Sequence, residues 1–412
     1  MEEEAAAMAA ASIPDDVLLE ILVRVKEAAD IFRCAMACKR WRRLVIEPSF
    51  LRRRWPEDAP AVFVGLFIRE CRRPEGAPSW EHCFFPAPRS PLGTTSRRPL
   101  SSFMTTARDG LFDRAVPLVA RHGLVLVRLI TYDTLGNMEH TILQLAVCNL
   151  LVGTWDMLPT IYFGQFAYFG YAILTGADCR SKDEPSPPVL PDNSCLFKVV
   201  IIGSAHDDLY YSLCVFSSDK ASWSVYTNCF DSGAQSHQVA RFSDAIVCGG
   251  MVHWVFHYYG EQHCDVINLN ARTGHISLTK LPFKEYYQFL SHPCLTLSAN
   301  GALSLLWLQS SGSGLVIWKQ QEKQHNTDVT SEWLCTRMIE LKQPEKETQL
   351  CALREKCGTL LISDNNMHVY TANLETRTME EVVDWHQGPF VPSNAMPLEI
   401  DWPTIFISLL TR

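Results

Sequence analysis

At 412 residues the chain exceeds what one hydrophobic core ordinarily supports, so a small module joined to a large domain, or two large domains, is expected. With 47% hydrophobic and 20% charged residues, its composition excludes a disordered tail or a collagen-like rod. A formal net charge of -8 speaks against general nucleic-acid binding, because phosphate contacts need an excess of Lys and Arg on one face.

The first eleven residues are acidic and Ala-rich and are expected to be disordered; they lack the basic start and long apolar run of a secretory signal. With 15 scattered cysteines, this predicts a reduced compartment, cytosol or nucleus. The longest apolar stretches, GLVLVRLI and TIFISLL, are too short or too interrupted by charge to span a bilayer.

The run IPDDVLLEIL predicts a helix whose Val17, Leu18, Ile21, Leu22 and Val25 gather into one broad apolar stripe, widened by Leu19. Ser12 and Asp15 have the spacing of a capping box, Pro14 suits the first turn, and Asp15 and Asp16 complement the helix dipole. A second helix is expected over DIFRCAMACKRWRRLV, where Ile31, Cys34, Ala35, Cys38, Trp41, Arg42 and Val45 recur at helical spacing. Cys34 and Cys38 would share one face as apolar core thiols, there being no nearby His or second Cys pair to complete a metal site. Such a hairpin lies near the lower limit of independent stability. It either packs on the large domain or binds a partner, with on the order of 10 kcal/mol gross available from five aliphatic side chains.

The ordered elements I-P-D-D-V-L-L-E-I-L, D-I-F-R-C and A-C-K-R-W-R-R-L-V, over residues 12 to 55, resemble an F-box. Ile13, Val25-Lys26 and Ala37 depart from that family's usual residues. The resemblance implies docking on the Skp-type adaptor of a cullin-RING ubiquitin ligase. It makes Pro14, Leu18, Leu19, Ile21, Leu22, Ile31, Cys38 and Trp41 residues of the F-box fold or of the adaptor contact, without separating the two sets. Leu18 and Leu22 are the positions at which it would be tested.

Residues 56 to 114, rich in Pro, Ser and Arg, read as a linker. Their basic clusters, with Arg52 to Arg54 before them and Arg72-Arg73 and Arg97-Arg98 within, read as solvated charge rather than as a nuclear address or nucleic-acid patch.

From residue 115 to 412 the chain reads as strands: GLVLVRL, FKVVII, YYSLCVF, GGMVHWVFH, DVINLN, GALSLLWL, LVIWK, TLLIS and MHVYTA. A strand, polar turn, strand theme recurs in CNLLVGTWDMLP, NLNARTGHISLTKLP and NLETRTMEEV. Gly123, Gly250, Gly301 and Gly358 each open an alternating strand and stand 127, 51 and 57 residues apart, which suggests a degenerate repeat hidden around residue 190. A period near 50 predicts a β-propeller of six or seven blades, against a large β-sandwich. The fold class is thus α+β and multidomain, a helical F-box module followed by an all-β domain. CNLLVGTWDMLP and GGMVHW also resemble the β-propeller-like associated domain of plant F-box proteins, although Leu150 replaces that element's Pro.

No phosphate-cradling loop, dinucleotide fingerprint or elbow serine is present. His253 and His257, with His263 and Cys264 nearby, are the best metal candidates, but Trp254, Phe256 and Tyr258 on the other strand face argue for core packing. Carboxylates such as Asp207, Asp208 and Asp364 are plentiful, but their separation in sequence does not tell whether two meet across a cleft. The sequence therefore predicts no catalytic residue, metal or cofactor. It predicts a non-catalytic substrate adaptor whose β domain binds an unidentified protein, with SWEHCFF and HYYGEQHC as candidate target contacts. The alternatives are an F-box scaffold outside a ligase and a propeller carbohydrate binder or hydrolase.

Overall fold

The computed structural model describes residues 13–56, 62–72, 79–87, 90–92, 97–104, 107, 110–130, 141–151, 153–163, 166–175, 178, 197–205, 211–226, 239–242, 245–258, 264–281, 293–297, 302–308, 314–325, 328–340, 348–353, 359–364, 369–373, 379–381 and 395–410. Two compact units result. One gathers the N-terminal helices with the segment from Ile400 onward; the other holds Phe63–Ser186 and Leu196–Glu399.

The second unit is β-rich. Its first sheet begins with β1 (Val62–Arg72), β2 (Ser79–Pro86) and β3 (Arg98–Pro99). The second contains β4 (Val116–Arg121), β5 (Leu124–Leu129), β6 (Thr141–Asn149), β7 (Thr154–Met157) and β8 (Ile161–Phe163). The third is β9 (Phe166–Thr175), β10 (Phe197–Ala205), β11 (Tyr211–Ser217) and β12 (Ser222–Tyr226). The fourth is β13 (Val239–Phe242), β14 (Ile246–Cys248), β15 (Met251–Tyr258), β16 (Cys264–Asn270) and β17 (Ile276–Lys280). The fifth is β18 (Cys294–Leu297), β19 (Leu303–Leu308), β20 (Gly314–His325) and β21 (Asp328–Glu340). The sixth is β22 (Thr348–Leu353), β23 (Thr359–Asp364), β24 (Val369–Asn373) and β25 (Met379–Glu381), and β26 (Met396–Ile400) then joins the first sheet beside β1.

Five sheets are thus antiparallel runs of consecutive strands, the repeating unit of a propeller-like arrangement, and the remaining one is a composite of β26 with β1–β3. The six or seven blades expected from the repeat are corrected to five among the described residues. Residues 56 to 114 are corrected too: the supposed linker supplies three strands, because hydrophobic VFVGLFI and SWEHCFF pair in register, with Phe67 opposite Phe84 and Ile68 opposite Cys83. Arg98 in this stretch is not simply solvated. It donates to the Ser102 side chain and carbonyl, and its guanidinium lies 4.3 Å from the Phe103 ring centroid.

The middle strands are covered on both faces. On β10, Val199 and Ile201 pack with Leu143, Leu145 and Val147 of β6, whereas Val200 and Ile202 pack with Val252, Trp254 and Phe256 of β15. The opposite face of β15 and β16, through Val255, Cys264 and Val266, meets Leu303, Leu305 and Trp307 of β19. The second to fifth sheets therefore stack face to face in order, and strands inside the stack read as continuous apolar runs rather than alternating ones. Gly170 provides space for one such contact, since a Cβ there would stand 2.9 Å from Ile202 Cγ2 and 3.0 Å from Trp254 Cδ1. The Trp254 indole donates to Tyr171 O at 3.4 Å across the same junction.

The polar turns repeat at the level of atoms. Asn149 Oδ1 accepts from Leu151 N and Asn149 O from Gly153 N; Asn270 Oδ1 accepts from Arg272 N and Thr273 N, and Asn270 O from Gly274 N. Both motifs close at a left-handed glycine, Gly153 at φ 71° and Gly274 at φ 73°, where a side chain would be strained. Gly123 and Gly250 precede β5 and β15, as the repeat predicts; Gly301, Gly358 and the hidden repeat near residue 190 lie outside the described residues.

Buried polar groups also bond to one another between strands. Arg121, at the end of β4, pairs with Asp178, whose Oδ2 also accepts from Thr175 N and Thr175 Oγ1 at 2.8 and 2.9 Å. Burial acts to raise the Asp178 pKa, but the Arg121 guanidinium and these bonds outweigh it and hold the carboxyl below its usual range. Across β15 and β16, His253 Nδ1 lies 2.7 Å from Asn268 Oδ1, and Asn268 Nδ2 donates to Thr279 Oγ1 at 2.9 Å. Cys248 Sγ is 3.6 Å from His253 Nε2. His253 is thus committed to neighbours within its own sheet, and among the described residues no three His, Cys, Asp or Glu converge as a metal site. The His257 side chain and His263 lie outside the described residues.

Replacing Arg121 with Ala leaves Asp178 buried without its counter-charge, and urea denaturation is expected to show a loss of about 3–5 kcal/mol. His253 supplies a pH test. Burial, only partly opposed by the bond to Asn268, lowers its pKa from 6.5, so the unfolded chain takes up this proton first as pH falls. The stability associated with the neutral ring is present above that value and lost below it, by at most about 1.4 kcal/mol per pH unit. Comparison of unfolding free energies at successive pH values should show a shallower slope for His253→Gln.

Candidate functional site

The helical unit contains α1 (Asp15–Arg24), α2 (Ala28–Ala37), α3 (Lys39–Ile46), α4 (Pro48–Arg54) and, after β26, α5 (Trp402–Leu410). The single second helix expected over residues 30 to 45 is two helices. The backbone is extended at Cys38, with φ -157° and ψ 159°, and Cys38 Sγ accepts from Trp41 N at 3.5 Å as the cap of α3. Cys38 is consequently exposed and does not share a helix face with Cys34. At the start of α1 the N-cap is Pro14, whose carbonyl accepts from Leu18 N; Ser12 lies outside the described residues.

Asp15 has a different task from the capping expected of it. Its carboxylate accepts from Arg40 Nε at 2.7 Å and Arg43 Nη2 at 3.1 Å, tying α1 to α3. The Arg40 hydrogen bond, with attraction to both arginines, lowers the Asp15 pKa. Arg53 pairs with Glu20, and Arg54 donates to Val25 O and Lys26 O while lying over Trp55. The basic run at the end of α4, expected to be solvated charge, therefore includes two ties back to the first helix and its exit.

The apolar stripe of α1 divides between two directions. Leu18 and Leu22, each 2% exposed, point into a core with Ile31, Ala35, Leu44, Val45, Phe50 and Leu51. Leu19 and Trp41 are half-buried against that core. Val17 and Ile21, one turn apart, are 44% and 50% exposed, and Met36 near the end of α2 is 54% exposed. Of the eight residues assigned from the resemblance, Leu18, Leu22 and Ile31 are interior, Ile21 is outward, and Pro14 and Cys38 are exposed caps. Leu18 and Leu22 are thus poor probes of a docking surface. Met36 carried no periodic signal that could have singled it out.

The core of this unit has a contributor that the sequence reading assigned to the β domain. Phe406 is fully buried in the same cluster as Leu18 and Leu22, and Leu410 is buried beside it. The Phe406 ring centroid lies 5.1 Å from that of Trp55 and 6.1 Å from those of Phe32 and Trp402. The signal was available: Trp402, Ile405, Phe406, Leu409 and Leu410 follow helical spacing, with Pro403 tolerated in the first turn. No helix among the described residues is long and apolar enough to cross a membrane.

Residues 10–55 match the F-box-like family model, so this stretch is an F-box-like domain, here joined to a propeller-like β-rich unit. No curated protein matches the chain. Among solved structures, an α-L-arabinanase from Penicillium chrysogenum is 9% identical, with a TM-score of 0.37, over 66% of this chain and 82% of its own. An α-L-arabinofuranosidase from Fusarium graminearum is 10% identical, with a TM-score of 0.35, over 67% of this chain and 82% of its own. A post-proline cleaving enzyme from Rickettsia typhi is 9% identical, with a TM-score of 0.37, over 91% of this chain and 58% of its own. Similarity at this level carries no argument about activity.

Leu22→Ala removes a side chain from the interior of the helical unit and should destabilise that unit by about 2–5 kcal/mol, read by hydrogen exchange of the α1 amides.

Proposed function

We propose that the chain is the substrate-recognition subunit of an SCF-type cullin-RING ubiquitin ligase, acting in the cytosol or nucleus. In this reading the F-box-like helices dock a Skp-type adaptor and the β-rich unit holds a target protein. The observation that carries it is the pairing of the F-box-like match over residues 10–55 with exposed Val17, Ile21 and Met36 on the matched helices. Exposed aliphatic side chains gain free energy when a partner covers them, and the ties from Asp15, Arg53 and Arg54 hold the helices in fixed relation before docking.

The chain acts by proximity. Holding a target beside a separately recruited ubiquitin-conjugating enzyme raises the effective concentration of lysine at the reactive thioester and removes orientational entropy from the transfer step. This role requires no catalytic side chain from the β-rich unit. It requires variable loops on a rigid scaffold, which stacked sheets provide.

Val17→Asp with Ile21→Asp is the direct test. Both positions are outward, so the thermal midpoint should change little, whereas affinity for a co-expressed Skp-type adaptor should fall by about 100-fold, as expected when two apolar contacts become buried charges. Undiminished adaptor capture by this variant would refute the proposed docking face. Absence of capture by the unaltered chain would refute the ligase reading altogether.

A further inference from the structure

We infer that α5 is an obligatory element of the docking module, so that adaptor binding is conditional on a segment far outside the F-box-like match; this rests on the adaptor reading above. The matched residues end at 55, yet the core behind α1 is completed by Phe406 and Leu410. Leu18 and Leu22 form the inward side of α1 and share that core, while Val17 and Ile21 form its outward side. The adaptor would meet the front of a helix whose back rests on a core that α5, packed on α2 and α3, completes.

Removing α5 exposes the ring of Phe32 and one side of Trp55 as well as the aliphatic interior. The four remaining helices span about 40 residues, near the size at which a core no longer sustains itself. Phe406 and Leu410 are therefore positioning residues: they touch no partner but fix the helix that does. A chain interrupted before residue 402 retains every residue of the family match and loses docking competence. Recruitment to the ligase is thereby restricted to chains in which the strands up to β26 have already been synthesised.

The test is Phe406→Ala with Leu410→Ala in the full chain, alongside Phe406→Leu, which keeps an apolar side chain. Hydrogen exchange of the α1 amides should accelerate by about 100-fold in the double variant, as local opening becomes easier, while β10 and β15 amides keep their protection. Adaptor capture should fall at least about 10-fold in the double variant and be largely retained in Phe406→Leu. Unchanged α1 exchange together with unchanged capture would overturn the inference. If the unaltered chain captures no adaptor, the ligase reading fails alone, and the exchange result still decides whether α5 supports α1.

Discussion

Sheets stacked on both faces impose the constraint from which most of the β-rich unit follows. A strand such as β10 has no side turned to water: odd-numbered residues from Val199 meet the second sheet, and even-numbered residues from Val200 meet the fourth. Side-chain size must therefore match across two junctions at once. Gly170 beneath Trp254 shows how closely one junction is filled. Two sets of polar groups enter this interior as mutually bonded assemblies, since an unpaired buried charge or amide forfeits its hydration without return. Arg121 with Asp178, and His253 with Asn268 and Thr279, meet that condition.

A different division governs the helical unit. One amphipathic helix contacts its own module with Leu18 and Leu22 and leaves Val17 and Ile21 outward, while arginines on the following helices fix its ends. Rigidity behind the helix and availability in front are linked properties. A loosely held α1 would incur ordering entropy on binding, and the covered interior reduces that penalty.

The sequence was legible where local chemistry decides structure. Strands such as FKVVII and GGMVHWVFH form as their composition predicts, and the Asn turns and the glycines before β5 and β15 reflect backbone requirements written in a few adjacent residues. In sequence, Leu196 rather than a glycine precedes β10, the second strand of the third sheet. Other features depended on distant partners. VFVGLFI looks like part of a connection until β26 is found beside it, and the break at Cys38 is hidden by continuous helical spacing on either side. Periodicity placed five apolar residues on one stripe of α1 but could not separate its two edges, since neighbouring positions on a helix differ by only about 100°.

The insertion of Phe406 into the core that also buries Leu22 bears on the order of folding as well. Two residues several hundred positions apart must reach one core, and for a flexible chain the entropy of closing so large a loop amounts to about 5 kcal/mol, comparable with the stability of a small domain. Pairing of β26 with β1 closes nearly the same loop within a sheet that has its own reasons to form. Strand assembly can thus meet the closure penalty before α5 engages the helical core. The late-forming contact then inherits a short effective tether, and the N-terminal domain acquires the folding kinetics of the β-rich unit rather than those of four short local helices.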